Sequence, residues 1–198
     1  QQYPRLAVGV PGPYSSDDVE ARGRVELYHY DADEEALELQ DTIETDLPSP
    51  EDRCGMSLHM FEDLLSIGAP GASVAGDASG LGMVYQYSPS AGTWRKWATI
   101  VPGGGDSGDF FGMSTAIGGV GVVFASPNMG PFGTNTGLGL LYEMPMGIDG
   151  DWQRDTRASV PVIAERGMIE APDDVRDGSS QFGRGLAAAC DHALIGDT

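Results

Sequence analysis

The stretch Phe111-Gly112-Met113-Ser114-Thr115, with Val122-Val123-Phe124-Ala125-Ser126-Pro127 just beyond it, occurs in three versions along the chain. The version before it reads Cys54-Gly55-Met56-Ser57-Leu58 and then Leu64-Leu65-Ser66-Ile67-Gly68-Ala69-Pro70. The version after it reads Phe182-Gly183-Arg184-Gly185-Leu186 and then Ala193-Leu194-Ile195-Gly196-Asp197. Gly55 to Gly68, Gly112 to Ala125 and Gly183 to Gly196 are each thirteen residues apart. A repeated unit with a fixed internal spacing sets the architecture before any single motif does.

Four strands are read in each full unit. The first opens at the aromatic-Gly pair. The second is an apolar run: Leu64 to Ile67, Val122 to Phe124 and, near the start, Ala7 to Val10. Such runs suit strands buried on both faces. The third carries Tyr28, Tyr85 or Tyr142, spaced by 57 residues each time, in half-buried alternation. The fourth is Thr93 to Ile100, echoed at Asp151 to Arg154 and at Glu35 to Leu39. No helical period of useful length appears, and register with the other units makes Asp33 to Leu39 a strand.

The expected organisation is a single segment over residues 1–198. Residues 1–50 form an incomplete first unit, 51–107 and 108–178 two full units, and 179–198 the first two strands of another. Roughly fourteen extra residues in the third version fall within Arg157 to Ser180 and are assigned to a long four-to-one connection. Both ends cut the repeat inside a unit. The expectation is that further sequence, or neighbouring subunits, complete the edges.

Composition narrows the function classes. Thirty acidic residues against eleven Lys and Arg give a formal charge of -19, and Lys96 is the only lysine. Such a surface repels nucleic-acid phosphates and anionic headgroups, so no nucleic-acid partner is expected. No run of eighteen apolar residues is present, so no membrane insertion is expected. The chain starts at Gln1 without a signal-peptide pattern; a removed leader and a longer parent chain both account for that. The two cysteines exclude a disulfide-dense scaffold. Cys54 stands where Phe111 and Phe182 stand and is expected in the core. Cys190 falls at a turn, either as a free thiol or bonded to another chain.

Several motifs that suggest chemistry fall short of it. Gly55-Met56-Ser57 and Gly112-Met113-Ser114 lack the last glycine and the following helix of a nucleophile elbow, and their recurrence marks structural residues. His29, His59 and His192 stand apart, and Cys190-Asp191-His192 is too contiguous for ordinary metal geometry. The loop Pro102 to Asp109 lacks the Lys-Ser/Thr of a phosphate loop. No catalytic residue is assigned. Asp106 and Asp109, with Asp173, Asp174 and Asp177, form acidic clusters on the variable loops and are the weak-cation candidates. Trp94, Trp97 and Trp152 are expected to pack between sheets or on an outer edge rather than stack on sugars.

These residues resemble the FG-GAP repeat of integrin-α-like β-propellers, in its short-turn variety. Phe111-Gly112 and Phe182-Gly183 match the F-G element, and Ile67-Gly68-Ala69-Pro70 matches V-G-A-P. Val10-Pro11-Gly12-Pro13 and Phe124-Ala125-Ser126-Pro127 are degenerate versions in the same register; Ile195-Gly196-Asp197 lacks the proline. The structural set is therefore Gly55, Gly68, Pro70, Phe111, Gly112, Pro127, Phe182, Gly183 and Gly196. The resemblance implies an all-β partial propeller of four-stranded antiparallel blades, about three of them. It also implies calcium between strands one and two. The segments there, Met60 to Asp63, Ile117 to Val120 and Ala189 to His192, are too short and too poor in carboxylates to supply six to eight oxygens. No cofactor is assigned.

The function expected by this resemblance is a non-enzymatic extracellular or cell-surface scaffold or adhesion module. Its partners would be other proteins, or further copies that complete its edges, as in a surface filament or coat. Two alternatives are a carbohydrate-binding lectin-type propeller, for which Tyr14, Phe110 and Phe132 are nearly the only loop aromatics, and an accessory domain of a larger secreted enzyme.

Overall fold

The computed structural model describes residues 5–12, 22–46, 51–119, 121–130, 137–143, 164–170, 182–189 and 192–196. Among them every regular element is a β-strand, all pairings between strands are antiparallel, and no helix occurs. The first sheet is β1 (Arg5–Val10), β2 (Arg24–Asp31) and β3 (Ala36–Ile43), in that order. The second is β4 (Ser57–Phe61), β5 (Leu64–Ala69), β6 (Leu81–Ser88) and β7 (Thr93–Ile100). The third is β8 (Ser114–Gly118), β9 (Gly121–Ser126), β10 (Leu138–Glu143) and β11 (Ala164–Glu170). The fourth is β12 (Gly185–Ala189) with β13 (His192–Gly196). Each sheet is a meander, with sequential strands side by side.

The thirteen-residue spacing is a hydrogen bond. The Gly55 N–H donates to the Gly68 carbonyl at 3.1 Å, Gly112 to Ala125 at 3.0 Å, and Gly183 to Gly196 at 3.0 Å. Each bond closes one end of a pair of antiparallel strands; at the other end Phe61 pairs with Leu64, Gly118 with Gly121 and Ala189 with His192. Gly55, Gly112 and Gly183 sit at φ +85°, +84° and +88°, where an L side chain is strained. Pro70 and Pro127 follow β5 and β9, where a missing N–H ends the ladder without loss.

A second repeated feature is a register shift next to the tyrosine of the third strand. It falls between Leu27 and Tyr28, Val84 and Tyr85, and Leu141 and Tyr142. In the first two sheets the extra residues opposite are Gln40 and Trp97. The bulge turns Trp97 and Ala98 to the same side, so both join one core cluster while Trp94 joins the other.

The sheets stack through two apolar layers. Val25, Leu27 and Ile43 of the first sheet pack on Leu65, Ile67, Met83, Tyr85 and Trp94 of the second. The opposite face of the second sheet, with Leu64, Val84 and Ile100, packs on Phe111, Val122, Phe124, Leu140 and Tyr142 of the third. Phe111 contacts Phe124 and Tyr142 with ring centroids 5.5 and 6.3 Å apart, the second edge to face. The strands β5 and β9 are buried throughout, as their apolar runs predict.

One element lies elsewhere than predicted. The fourth strand of the third sheet is Ala164–Glu170, inside the stretch assigned to a long connection. The predicted Asp151 to Arg154 lies outside the described residues. The long stretch is therefore 144–163, between the third and fourth strands, and not a four-to-one connection. The four-to-one connections, 44–56, 101–113 and 171–184, are nearly equal in length. Trp152 suggested a fourth strand by analogy with Trp94, but one aromatic residue without flanking alternation does not fix a register. Asp33 to Leu39 does enter a strand. Asp31 Oδ1 accepts from the N–H groups of Asp33 and Glu34, and Glu35 is left-handed at φ +51°, so a turn precedes β3 and no helix starts there.

Candidate functional site

In an antiparallel meander the two-to-three and four-to-one connections emerge at the same end of the strands. Here residues 70–80 and 101–113 meet at that end and bond through their backbones. The N–H groups of Gly108, Phe110 and Phe111 donate to the carbonyls of Asp77, Ala78 and Ser79 at 2.8, 3.1 and 3.0 Å. Ser107 Oγ accepts from the Asp77 N–H at 3.2 Å. In the preceding pair of sheets Cys54 donates to Arg22 at 3.2 Å, the same bond 57 residues earlier. Gly23–Cys54 and Gly80–Phe111 are parallel bridges made at these points. Gly137 continues the series, since a Cβ there would lie 2.2 Å from the Phe182 carbonyl oxygen. Gly23, Gly80 and Gly137 lie at φ +81°, +86° and +82°. These three glycines were missed in the sequence; their signal was the 57-residue spacing they share with the tyrosines.

The weak-cation candidates separate on this face. Asp106 is exposed, but Asp109 is 8% exposed. Asp109 Oδ2 accepts from the Asp106 N–H at 2.6 Å, and its carbonyl accepts from Ser126 Oγ. Burial pushes the Asp109 carboxyl above the usual range, and the Asp106 N–H opposes the shift. Its carboxylate is thus used to close its own turn. Asp52, one repeat earlier, is fully buried and accepts from Thr45 Oγ1, so the same acid recurs with a structural partner. Asp173, Asp174 and Asp177 lie outside the described residues. Among the described residues no three His, Cys, Asp or Glu side chains converge as a metal site.

The repeated serines span the sheets. Ser57 Oγ donates to the Gly112 carbonyl at 2.8 Å, and Ser114 Oγ donates to the Gly183 carbonyl. His59 Nδ1 accepts from the Ile117 N–H at 3.2 Å, which ties β4 to β8. His29 is half-buried and His192 exposed. Cys54 is fully buried, and burial pushes its thiol up to about 12. Cys190 and Tyr14 lie outside the described residues, as do Phe132 and Trp152.

What remains outward on the loop face is Val74 and Val101, 42% and 43% exposed, with the exposed acids Glu51, Asp77 and Asp106. Apolar and acidic groups are mixed there, in a frame fixed by backbone bonds. No helix among the described residues is long and apolar enough to cross a membrane. Comparison with protein-family models and with curated proteins finds no match.

Proposed function

We propose that the stacked sheets are blades of a β-propeller of the FG-GAP type, and that the chain is a non-enzymatic extracellular or cell-surface scaffold module. It presents its loop face to other proteins or to further copies of itself, as a repeating subunit of a surface filament or coat would. The observation that carries this reading is the division of labour at the loop end. Backbone bonds, glycines, serines and the carboxyls of Asp52 and Asp109 hold the frame, while Val74, Asp77, Val101 and Asp106 face outward and hold nothing in common from repeat to repeat. The formal charge of -19 suits a molecule that stays dispersed in a salty medium.

Two measurements test it. Immunogold labelling of intact, unpermeabilised producing cells should place the chain outside the cell; label confined to the interior overturns the reading. Photo-crosslinking side chains placed at Asp77 and Asp106 should join the chain to neighbouring surface protein or to copies of itself. One placed at Glu34, on the turn at the opposite end of the strands, should do so far less. Equal capture at both ends counts against the loop face as the recognition surface.

A further inference from the structure

The serine bonds between successive sheets recur, but one bond beside them does not. Ser57 Oγ reaches the Gly112 carbonyl and Ser114 Oγ the Gly183 carbonyl, so the second and third junctions of the stack share that contact. The junction of the second sheet with the third also has His59, whose Nδ1 accepts from the Ile117 N–H at 3.2 Å. One and two repeats on, the position of His59 is held by Ala116 and Ala187. Neither alanine has a side chain that can accept a hydrogen bond. His59 therefore gives a single junction a bond that the repeat itself does not require.

The geometry fixes how the ring is used. His59 is held in β4 by its pairing with Ser66 of β5, and Ser66 Oγ donates to the His59 carbonyl at 3.3 Å. By strand alternation its side chain lies on the side of Ser57 and Phe61, which is the side that meets the third sheet. A backbone N–H can only donate, so Nδ1 must offer a lone pair and the ring hydrogen sits on Nε2. A second proton has only Nδ1 to go to. It sets one N–H donor against another, and the bond to Ile117 is lost. His59 is half-buried, so solvent protons reach it.

Few other titratable groups surround the ring among the described residues. The strands β5, β8 and β9 carry none. β1 brings Arg5, the turn after β4 brings Glu62 and Asp63, and the apolar layer shared with the third sheet holds Tyr142. Glu62 is exposed, and Asp63 pairs with Arg5. Carboxyl, guanidinium and phenol groups ordinarily keep one charge state between about pH 5 and about pH 8, and the imidazole is the side chain that ordinarily changes there.

We infer that His59 is an acid-sensitive clasp: it joins β4 to β8 through Ile117 while its ring is neutral, and the join opens when the ring takes up a proton. The bond belongs to the neutral ring, so its contribution is present above the range near about pH 6.5 in which an imidazole ordinarily titrates and is lost as pH falls through that range. The Ser57 bond and the apolar layer do not depend on this proton. Acid therefore loosens the second sheet from the third along β4 and β8 without taking the stack apart.

Nuclear magnetic resonance on the whole chain reads this bond directly. Between about pH 8 and about pH 5 the Ile117 amide shift should follow the same inflection as the ring Cε1 proton of His59. The exchange protection of that amide, corrected for the intrinsic pH dependence of exchange, should fall about fivefold over the range, the effect of one ordinary hydrogen bond. His59→Asn keeps an acceptor, Oδ1, that does not titrate, and its Ile117 protection should not change with pH. His59→Leu has no acceptor, and its Ile117 protection should already be low at about pH 8. His29 and His192 remain in both variants, so their titrations cannot produce a difference from the wild type. An Ile117 shift that does not follow the His59 inflection overturns the inference, and that measurement needs no variant to fold. So does a pH-dependent protection that persists in His59→Asn, or full protection in His59→Leu.

Discussion

Alanine in place of Gly68 should part the second sheet from the third. The φ of Gly68 is one that L residues adopt, so the substitution carries no backbone strain of its own. The obstacle is across the interface: a Cβ at Gly68 would lie 1.9 Å from the Gly112 carbonyl oxygen and 2.3 Å from Ser57 Oγ. Relief requires the sheets to separate by more than about 1 Å, and a gap of that size forfeits roughly a quarter to a half of the dispersion energy of the atoms that face it. The Ser57 bond to the Gly112 carbonyl is lost as well, at about 1 kcal/mol. With an overpacking cost of about 1–3 kcal/mol, the expected loss is about 3 kcal/mol. The assay is equilibrium urea unfolding followed by tryptophan emission, because Trp94 and Trp97 are both buried in the second sheet. Gly92→Ala is the comparison. It places a side chain at φ +66° with nothing within 4 Å, so it carries only the left-handed cost of about 1–2 kcal/mol. Ala125 already occupies the equivalent position in the third sheet, opposite Gly183, so alanine as such is not excluded from the repeat. If Gly68→Ala proves no more destabilising than Gly92→Ala, the close approach of the Gly68 and Gly112 backbones is not what spaces the sheets.

Three further outcomes follow from single groups. With the Cys54 thiol at about 12, its thiolate fraction at pH 8 is about three orders of magnitude below that of a free cysteine; in a Cys190→Ser background, iodoacetamide should label the chain only after urea is added, and rapid native labelling would contradict the burial. Asp109 holds its proton more tightly folded than unfolded, so its contribution to stability falls as pH rises above the ordinary 3.8 and then levels off. Asp109→Asn should remove that decline, whereas a carboxylate acting as a metal ligand or ion-pair partner would give the opposite slope in a urea-midpoint series against pH. Arg5→Leu should cost about 1–2 kcal/mol through the lost ring and carboxylate contacts, and a double-mutant cycle with Tyr87→Leu should show coupling; additive effects would mean that Arg5 does not bind the ring.

The strands were legible where the repeat supplied a register. Thr93 to Ile100 is a strand over those residues, and Leu64 to Ile67 and Val122 to Phe124 fall inside β5 and β9. Cys54 could be placed in the core because it takes the place of Phe111, and both are fully buried. The register was lost where the third version departs from the 57-residue period, so β11 was displaced. The bulges beside Tyr28, Tyr85 and Tyr142 leave no composition signal, because a bulge is a mismatch between two strands and neither strand alone records it. Asp109 read as a surface acid beside Asp106. Its inward turn follows from Phe110 at φ +56°, a left-handed residue that carries no glycine to announce it.

The same contrast locates function on this fold. Most of what the repeat preserves holds backbone to backbone or a short side chain to backbone: the Gly55–Gly68 bond, the Ser57 hydroxyl on the Gly112 carbonyl, the bridge of Gly80 to Phe111. The first closes a hairpin, and the other two set the distance from one sheet to the next. On the proposed scaffold reading, specificity comes from positions the repeat does not fix. These are the outward loop residues, Val74, Asp77, Val101 and Asp106 among the described ones. The loop residues can be exchanged without touching the frame. A polar substitution at Trp94 or Val123, both core residues, should therefore unfold the stack, while the same change at the exposed Val74 or Val101 should shift stability by no more than about 0.5 kcal/mol.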